Sequence, residues 1–219
     1  MTQDETDPIG LLGGSFDPIH VGHLQLARDA AEQLGLARVL FLPAGLAWQK
    51  GPATPAMHRA RMVELSIATQ PRFALDRREL RRPGPSFTVD TLRELRQEVG
   101  GQRPLVLLLG ADQFHQLDTW SRWEQLIELA HLGVAARAGH ALRLKPALAT
   151  LRNTHLGNVA ELTQRPAGVL VDVTMPPIEC SSSQLRSLLG NAALRADPWM
   201  ATMLAPGVLD YIRQHHLYA

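Results

Sequence analysis

Hydrophobic residues in this chain follow two rhythms. Short, solid runs occur at Ile9–Leu12, Val39–Leu42, Phe73–Leu75, Leu105–Leu109, Leu132–Ala136 and Val169–Val173. Runs of that length with little alternation predict strands covered on both faces. Between them, apolar positions recur at helical spacing. Leu24, Ala27, Ala31 and Leu34 share one face, closed by Gly35. Met62, Leu65 and Thr69 form a stripe in a helix over His58–Thr69. Val89, Leu92, Arg96 and Val99 mark a helix for which Ser86 or Thr88 is a suitable N-cap. A helix opened by serines and closed by Gly190 follows, then a terminal one over Gly207–His215 with Val208, Tyr211 and Ile212 on its apolar side. Strand and helix in alternation predict βαβ units, hence a parallel sheet with right-handed crossovers.

Polar stretches change this picture little. Arg59 and Arg61 read as the solvated face of their helix, and Asp76–Arg82 reads as an exposed, charged loop. His140–Ala167 is weakly patterned and reads as a connector or small subdomain. At 219 residues the chain suits one domain over 9–219 with a flexible tail at 1–8. Its formal net charge of +1 points to neither nucleic acid nor an anionic membrane as partner. One cysteine excludes an internal disulfide framework. The first eight residues carry Asp4, Glu5 and Asp7 and no apolar core of a signal peptide. No apolar run is long enough to span a membrane, so a soluble cytoplasmic protein is expected. Oligomeric state, a homo-oligomer included, is left open.

Candidate chemistry concentrates in Gly13-Gly14-Ser15-Phe16-Asp17-Pro18-Ile19-His20-Val21-Gly22-His23. It stands between the first strand and the first long helix, where backbone N–H groups and the helix dipole favour a phosphate. Gly13 and Gly14 would allow tight or left-handed turns and close approach to a ligand. His20 and His23, three apart, project to one side. As a metal pair they lack obvious third and fourth ligands. Gly110-Ala111-Asp112 follows the Leu105–Leu109 strand at its carboxyl end, the edge where open α/β sheets bind ligands. Asp112 could equally cap a helix. Trp120 and Trp123 lie in a polar stretch, as core or as an indole platform for a cationic ring. Ser181–Ser183 followed by Arg186 can form an anion cradle at a helix start, or merely a cap. Lys50 by itself reads as a surface lysine, and Cys180 as a small hydrophobe without a base to activate it.

The first stretch resembles the nucleotidyltransferase superfamily signature G-G-[ST]-F-D-P-x-H-x-G-H. With the segment Gly84–Leu92 and the Ser181–Arg186 stretch, the chain after residue 8 is similar to the bacterial nicotinate-nucleotide adenylyltransferases. Ser15 and Ser183 stand where threonine is commoner, Glu179-Cys180 intrudes before the serines, and the loop around Trp48 departs from the usual pattern. The resemblance implies a Rossmann-like parallel sheet with helices on both faces, of nucleotidyltransferase type, with a small helical C-terminal part. It implies adenylyl transfer from ATP to nicotinate mononucleotide, giving deamido-NAD and pyrophosphate. His20 and His23 would neutralise and hydrogen-bond the α- and β-phosphates, while Lys50, Arg186, Ser182 and Ser183 would hold the β- and γ-phosphates. Gly13, Gly14, Ser15, Phe16, Gly22, Gly110 and Asp112 would complete the ATP site, Thr88 and Trp120 would take the nicotinate nucleotide, and Mg²⁺ would ride on phosphates and water. A sister enzyme for nicotinamide mononucleotide or another phosphate-bearing substrate, and a nucleotide sensor without turnover, stay open.

Overall fold

A computed structural model describes residues 7–46, 54–137, 144–191 and 197–218. Six strands form one sheet: β1 (Ile9–Gly14), β2 (Arg38–Pro43), β3 (Phe73–Leu75), β4 (Leu105–Leu109), β5 (His131–Arg137) and β6 (Leu170–Met175), in the order β3-β2-β1-β4-β5-β6. The pairings β1–β4, β4–β5 and β5–β6 are parallel, with Leu11 opposite Leu107, Leu107 opposite Leu132 and Leu132 opposite Leu170. All six apolar runs are therefore strands, and their solidity has the expected cause. Every residue of β4 is buried, and each such aliphatic side chain contributes roughly 2 kcal/mol by leaving water.

The order reverses between β1 and β4, because the chain first builds outward through β2 and β3 and then returns. At such a switch point the carboxyl ends of neighbouring strands open onto a crevice. Gly13 at the end of β1 and Gly110 just past β4 stand at those ends.

The helices are α1 (Val21–Gln33), α2 (Ala56–Ile67), α3 (Arg78–Arg81), α4 (Thr88–Val99), α5 (Ala111–His115), α6 (Leu126–Leu129), α7 (Pro146–His155), α8 (Ser182–Gly190), α9 (Pro198–Met203) and α10 (Pro206–Gln214). Two stretches differ from the sequence reading. The charged run at 76–82 is not loop: it contains α3, with Glu79 buried and Arg78 on the Asp76 carboxylate at 2.7 Å. In 140–167 the described part forms α7 and a 3₁₀ turn over Val159–Thr163, fastened by Arg152 to Asp172 at 2.5 Å.

The chain falls into two compact units. The first comprises Met1–Gly13, Leu26–Leu40 and Phe87–Pro176, the second Gly14–Gln25, Phe41–Ser86 and Pro177–Ala219. In the first, Leu11, Leu36, Val39, Leu107, Phe114 and Val134 are buried in the core. In the second, Phe16, Ile19, Phe41, Met62, Leu185 and Ile212 are.

Candidate functional site

The loop after β1 belongs to the second unit from Gly14 onward. Neither Gly13 nor Gly14 takes a left-handed conformation; that role falls to Phe16, at φ 48°. The turn thus drives an aromatic ring inward, where Phe16 packs edge-to-face on His23 at 5.1 Å and against Phe41 at 5.9 Å. A side chain added at Gly13 would meet nothing within 4 Å, so that glycine leaves open space at the strand end.

His20 and His23 come together with ring centroids 3.9 Å apart. Gly22 N–H donates to His20 Nδ1 at 3.2 Å, and His20 N–H donates to His23 Nδ1 at the same distance. Both Nδ1 atoms therefore act as acceptors, which places the ring proton of each neutral imidazole on Nε2 as a donor. Gly22 makes this possible: a Cβ there would lie 3.0 Å from the His20 ring. His20 is buried, and burial lowers its pKa to about 4. It is consequently neutral at pH 7. Without a bound anion, His20 therefore offers an N–H rather than a cation.

The Ser181–Arg186 stretch closes on the same loop. Ser181 caps α8 by accepting from Gln184 N–H at 3.2 Å. Ser182 Oγ donates to the Pro18 carbonyl at 3.0 Å. Arg186 Nη1 donates to the Asp17 carbonyl at 2.7 Å and Nη2 to Ser183 Oγ at 3.2 Å. The serine hydroxyls are thus largely engaged in docking the helix. What remains at this helix start are the Ser182 and Ser183 N–H groups, orphaned by helix geometry and favourable to an anion.

The sequence reading missed Arg59. It is not solvated but 2% exposed. Its Nε donates to Thr54 O at 2.8 Å, Nη1 to Ser15 O at 2.7 Å, and Nη2 to Ala44 O at 2.6 Å and Gly45 O at 3.0 Å. One guanidinium fork pins the Gly loop and the segment after β2 together. Ser86 assists. It does not cap α4, whose N-cap is Phe87; its hydroxyl accepts from Gly45 N–H at 3.0 Å. Gly45 has no room for a side chain, since a Cβ would fall 2.3 Å from the Glu79 carbonyl. Lys50 and Trp48 lie outside the described residues. A hint of Arg59 in the sequence was available only in hindsight: its neighbours Ala60, Met62 and Val63 are all buried.

The nicotinate-side candidates lie in the first unit. Thr88 is the first residue of α4. Trp120 is half-buried and ends a 3₁₀ turn over Leu117–Thr119. Arg122, at φ 53°, joins the two pieces: its guanidinium is 2.8 Å from Asp90 in the first turn of α4 and 5.9 Å from the Phe87 ring centroid. Gly110 is the N-cap of α5, its N–H donating to Gln113 Oε1 at 3.1 Å. Asp112 is no cap; it is exposed in the first turn. Burial pushes the half-buried Cys180 thiol up to about 11, which keeps it protonated and unfit as a nucleophile.

A Rossmann-like sheet that carries an imidazole pair over a glycine loop defines a nucleotidyltransferase. In keeping with that class, the family model described as cytidylyltransferase-like matches residues 11–188. A protein of Dechloromonas aromatica named probable nicotinate-nucleotide adenylyltransferase is 40% identical over 97% of this chain and 98% of its own length. One of Aeromonas hydrophila with the same name is 42% identical over 96% and 97%. Among solved structures, Plasmodium falciparum nicotinic acid mononucleotide adenylyltransferase complexed with APC matches at TM-score 0.72 and 18% identity, covering 97% of each chain. The chain belongs to the cytidylyltransferase-like family and, within it, to the nicotinate-nucleotide adenylyltransferases.

Proposed function

We infer that the loop Gly13–His23 and the start of α8 hold the ATP phosphates while nicotinate mononucleotide attacks. The activity is that of the family: the chain transfers the adenylyl group of ATP to nicotinate mononucleotide, giving nicotinate adenine dinucleotide and pyrophosphate in NAD biosynthesis. A phosphate oxygen of the mononucleotide forms the new bond to the α-phosphorus, and the bond to the bridging oxygen of the pyrophosphate breaks. The attacking phosphate, with a second pKa of about 6, is already mostly dianionic at pH 7, so no general base is needed. The enzyme's work is alignment and stabilisation of developing charge.

The observation that carries this reading is the imidazole pair, with both Nδ1 atoms occupied by main-chain N–H groups. Each ring is held in one tautomer by its Nδ1 contact, and His20 presents its Nε2–H as a fixed donor for the phosphate oxygens, with His23 packed beside it. Arg186 and the free N–H groups of Ser182 and Ser183 take the β- and γ-phosphates, with Lys50. Gly13 leaves the space through which a phosphate approaches the backbone. The Phe16 ring is buried, so Phe16 and Ser15 contribute main-chain groups. Gly22 acts by admitting the His20 ring, and Gly110 and Asp112 serve the nucleoside end. Trp120 stacks on the pyridinium ring, and the amides at Thr88 receive the nicotinate carboxylate; the Arg122–Asp90 ion pair supports that pairing.

Among the described residues no three His, Cys, Asp or Glu side chains converge as a cation cage. Mg²⁺ fits this enzyme as an ion carried on the ATP phosphates and water, where it offsets their charge when bound. Among the described residues no helix is long and apolar enough to cross a membrane, and two soluble nucleotides as substrates suit a cytoplasmic enzyme.

Pyrophosphate release from ATP, measured with nicotinate and with nicotinamide mononucleotide, tests the reading. Turnover with the acid at least about tenfold above the amide supports it, since N–H donors aimed at a carboxylate lose their partner with an amide. Equal rates, or binding of ATP with no release, would discard it.

A further inference from the structure

We propose that the phenol hydroxyl of Tyr218, one residue from the end of the chain, is a positioning group that holds Arg186 ready for the ATP phosphates by fixing Asp17. The proposal rests on Arg186 being a phosphate ligand. After α10 the chain turns sharply back, with His216 N–H on Arg213 O at 3.3 Å and Leu217 N–H on Ile212 O at 3.1 Å. His216 and Tyr218 both take left-handed backbone, at φ 50° and 64°. For residues with a Cβ that conformation is strained. The turn sends the Tyr218 ring to the Gly loop, where Oη donates to Asp17 Oδ1 at 2.7 Å.

Asp17 is a hub. It is 4% exposed, its other carboxylate oxygen accepts from Thr54 N–H at 3.3 Å, and its main-chain carbonyl receives Arg186 Nη1 at 2.7 Å. The Arg59 guanidinium, beside Asp17, reaches the Ser15 and Thr54 carbonyls on either side. With both carboxylate oxygens held, residue 17 is restrained, and so is the carbonyl that seats Arg186. Removing the Tyr218 hydroxyl frees one of those oxygens in a buried place, where an unpaired acceptor is costly and residue 17 must turn to satisfy it. Burial raises the Tyr218 pKa well above the usual phenol range, so the hydroxyl stays a donor at any working pH. A purely packing role would not need the hydroxyl, because the ring alone fills the space.

Tyr218→Phe keeps the ring and tests the hydroxyl. Titration calorimetry with ATP is expected to show about tenfold weaker binding, the scale for losing a group that orients another. The affinity of nicotinate mononucleotide should stay close to wild type, while the thermal midpoint should fall because a buried acceptor loses its donor. In an Arg186→Ala background the same change should alter ATP binding less than twofold, since the group it orients is gone. An undiminished tenfold loss in that background, or wild-type ATP affinity in the single variant, overturns the proposal. So does a loss shared equally by ATP and nicotinate mononucleotide. Because ATP binding is read directly, a wild-type protein that binds ATP without releasing pyrophosphate would sink the catalytic reading and leave this test intact. A wild-type protein that does not bind ATP would refute both.

Discussion

Each compact unit buries a histidine and sets an arginine fork on main-chain carbonyls, but the two use them to different ends. In the first unit His131 is fully buried, its Nδ1 accepting from Val169 N–H at 3.1 Å and its Nε2 donating to Arg165 O at 2.9 Å. Both nitrogens are consumed. His20 in the second unit has the same Nδ1 arrangement with Gly22, yet its Nε2 has no hydrogen-bond partner among the described residues. Arg96 spans Leu129 O at 2.7 Å, Pro166 O at 2.5 Å and the Arg103 carbonyl, tying α4 to three segments outside the imidazole loop. Arg59 ties the loop that carries the imidazoles. Burial alone therefore does not mark function. A satisfied buried histidine is a staple; one with a donor left over has a group to offer a ligand.

The sharpest way to break this comparison is to truncate both histidines. His20→Ala should lower kcat by about 10²-fold, the scale for losing one donor to a developing oxyanion. His131→Ala should leave kcat per folded molecule within about twofold while lowering stability by about 3 kcal/mol, because two buried main-chain groups lose partners. Steady-state kinetics and urea unfolding on both variants would reveal any exchange of roles. Next in size come the arginines. Arg59→Met should cost about 3 kcal/mol of stability and roughly tenfold in turnover, since four carbonyls around the site are released. Arg96→Met should cost about 2 kcal/mol with turnover unaffected.

Titration separates the pair more gently. The folded pKa of His20, near 4, lies below its unfolded value near 6.5. Between those values the unfolded chain binds the proton and the folded chain does not. Stability therefore falls as pH drops through that window, by about 2 kcal/mol from pH 6.5 to 4.5 for His20, and levels off below pH 4. Burial lowers His131 as well, so wild type should show a steep slope in urea unfolding across this range, and His20→Gln should flatten part of it. The smallest effect belongs to Cys180→Ser. A thiol pushed up to about 11 does no chemistry at neutral pH, so activity should be unchanged and stability should shift by less than about 0.5 kcal/mol.

Much of the molecule is legible in its residue pattern. The six apolar runs are the six strands because a buried parallel strand needs apolar residues on both faces, and that need is written locally. The Gly-loop histidines, the serine-capped helix with Arg186, and the family itself are readable because each depends on residue type at close spacing. Arg59, Ser86 and Tyr218 are not. A lone arginine on a helix, a serine before one and a tyrosine at a chain end carry no periodic or motif signal. Their roles come from partners 44, 41 and 201 positions away. The sign of the His20 contribution is also out of the sequence's reach, since spacing says that two imidazoles meet but not how much water surrounds them.

By itself, then, the order of residues settled the six strands and the longer helices, which follow from short-range pattern, and its motifs pointed to the family. Only the folded chain decided which side chains hold the Gly loop still, which nitrogen of each imidazole bears the proton, and whether His20 is charged. Those are matters of burial and of hydrogen bonds between distant segments, and they exist only once the segments have met.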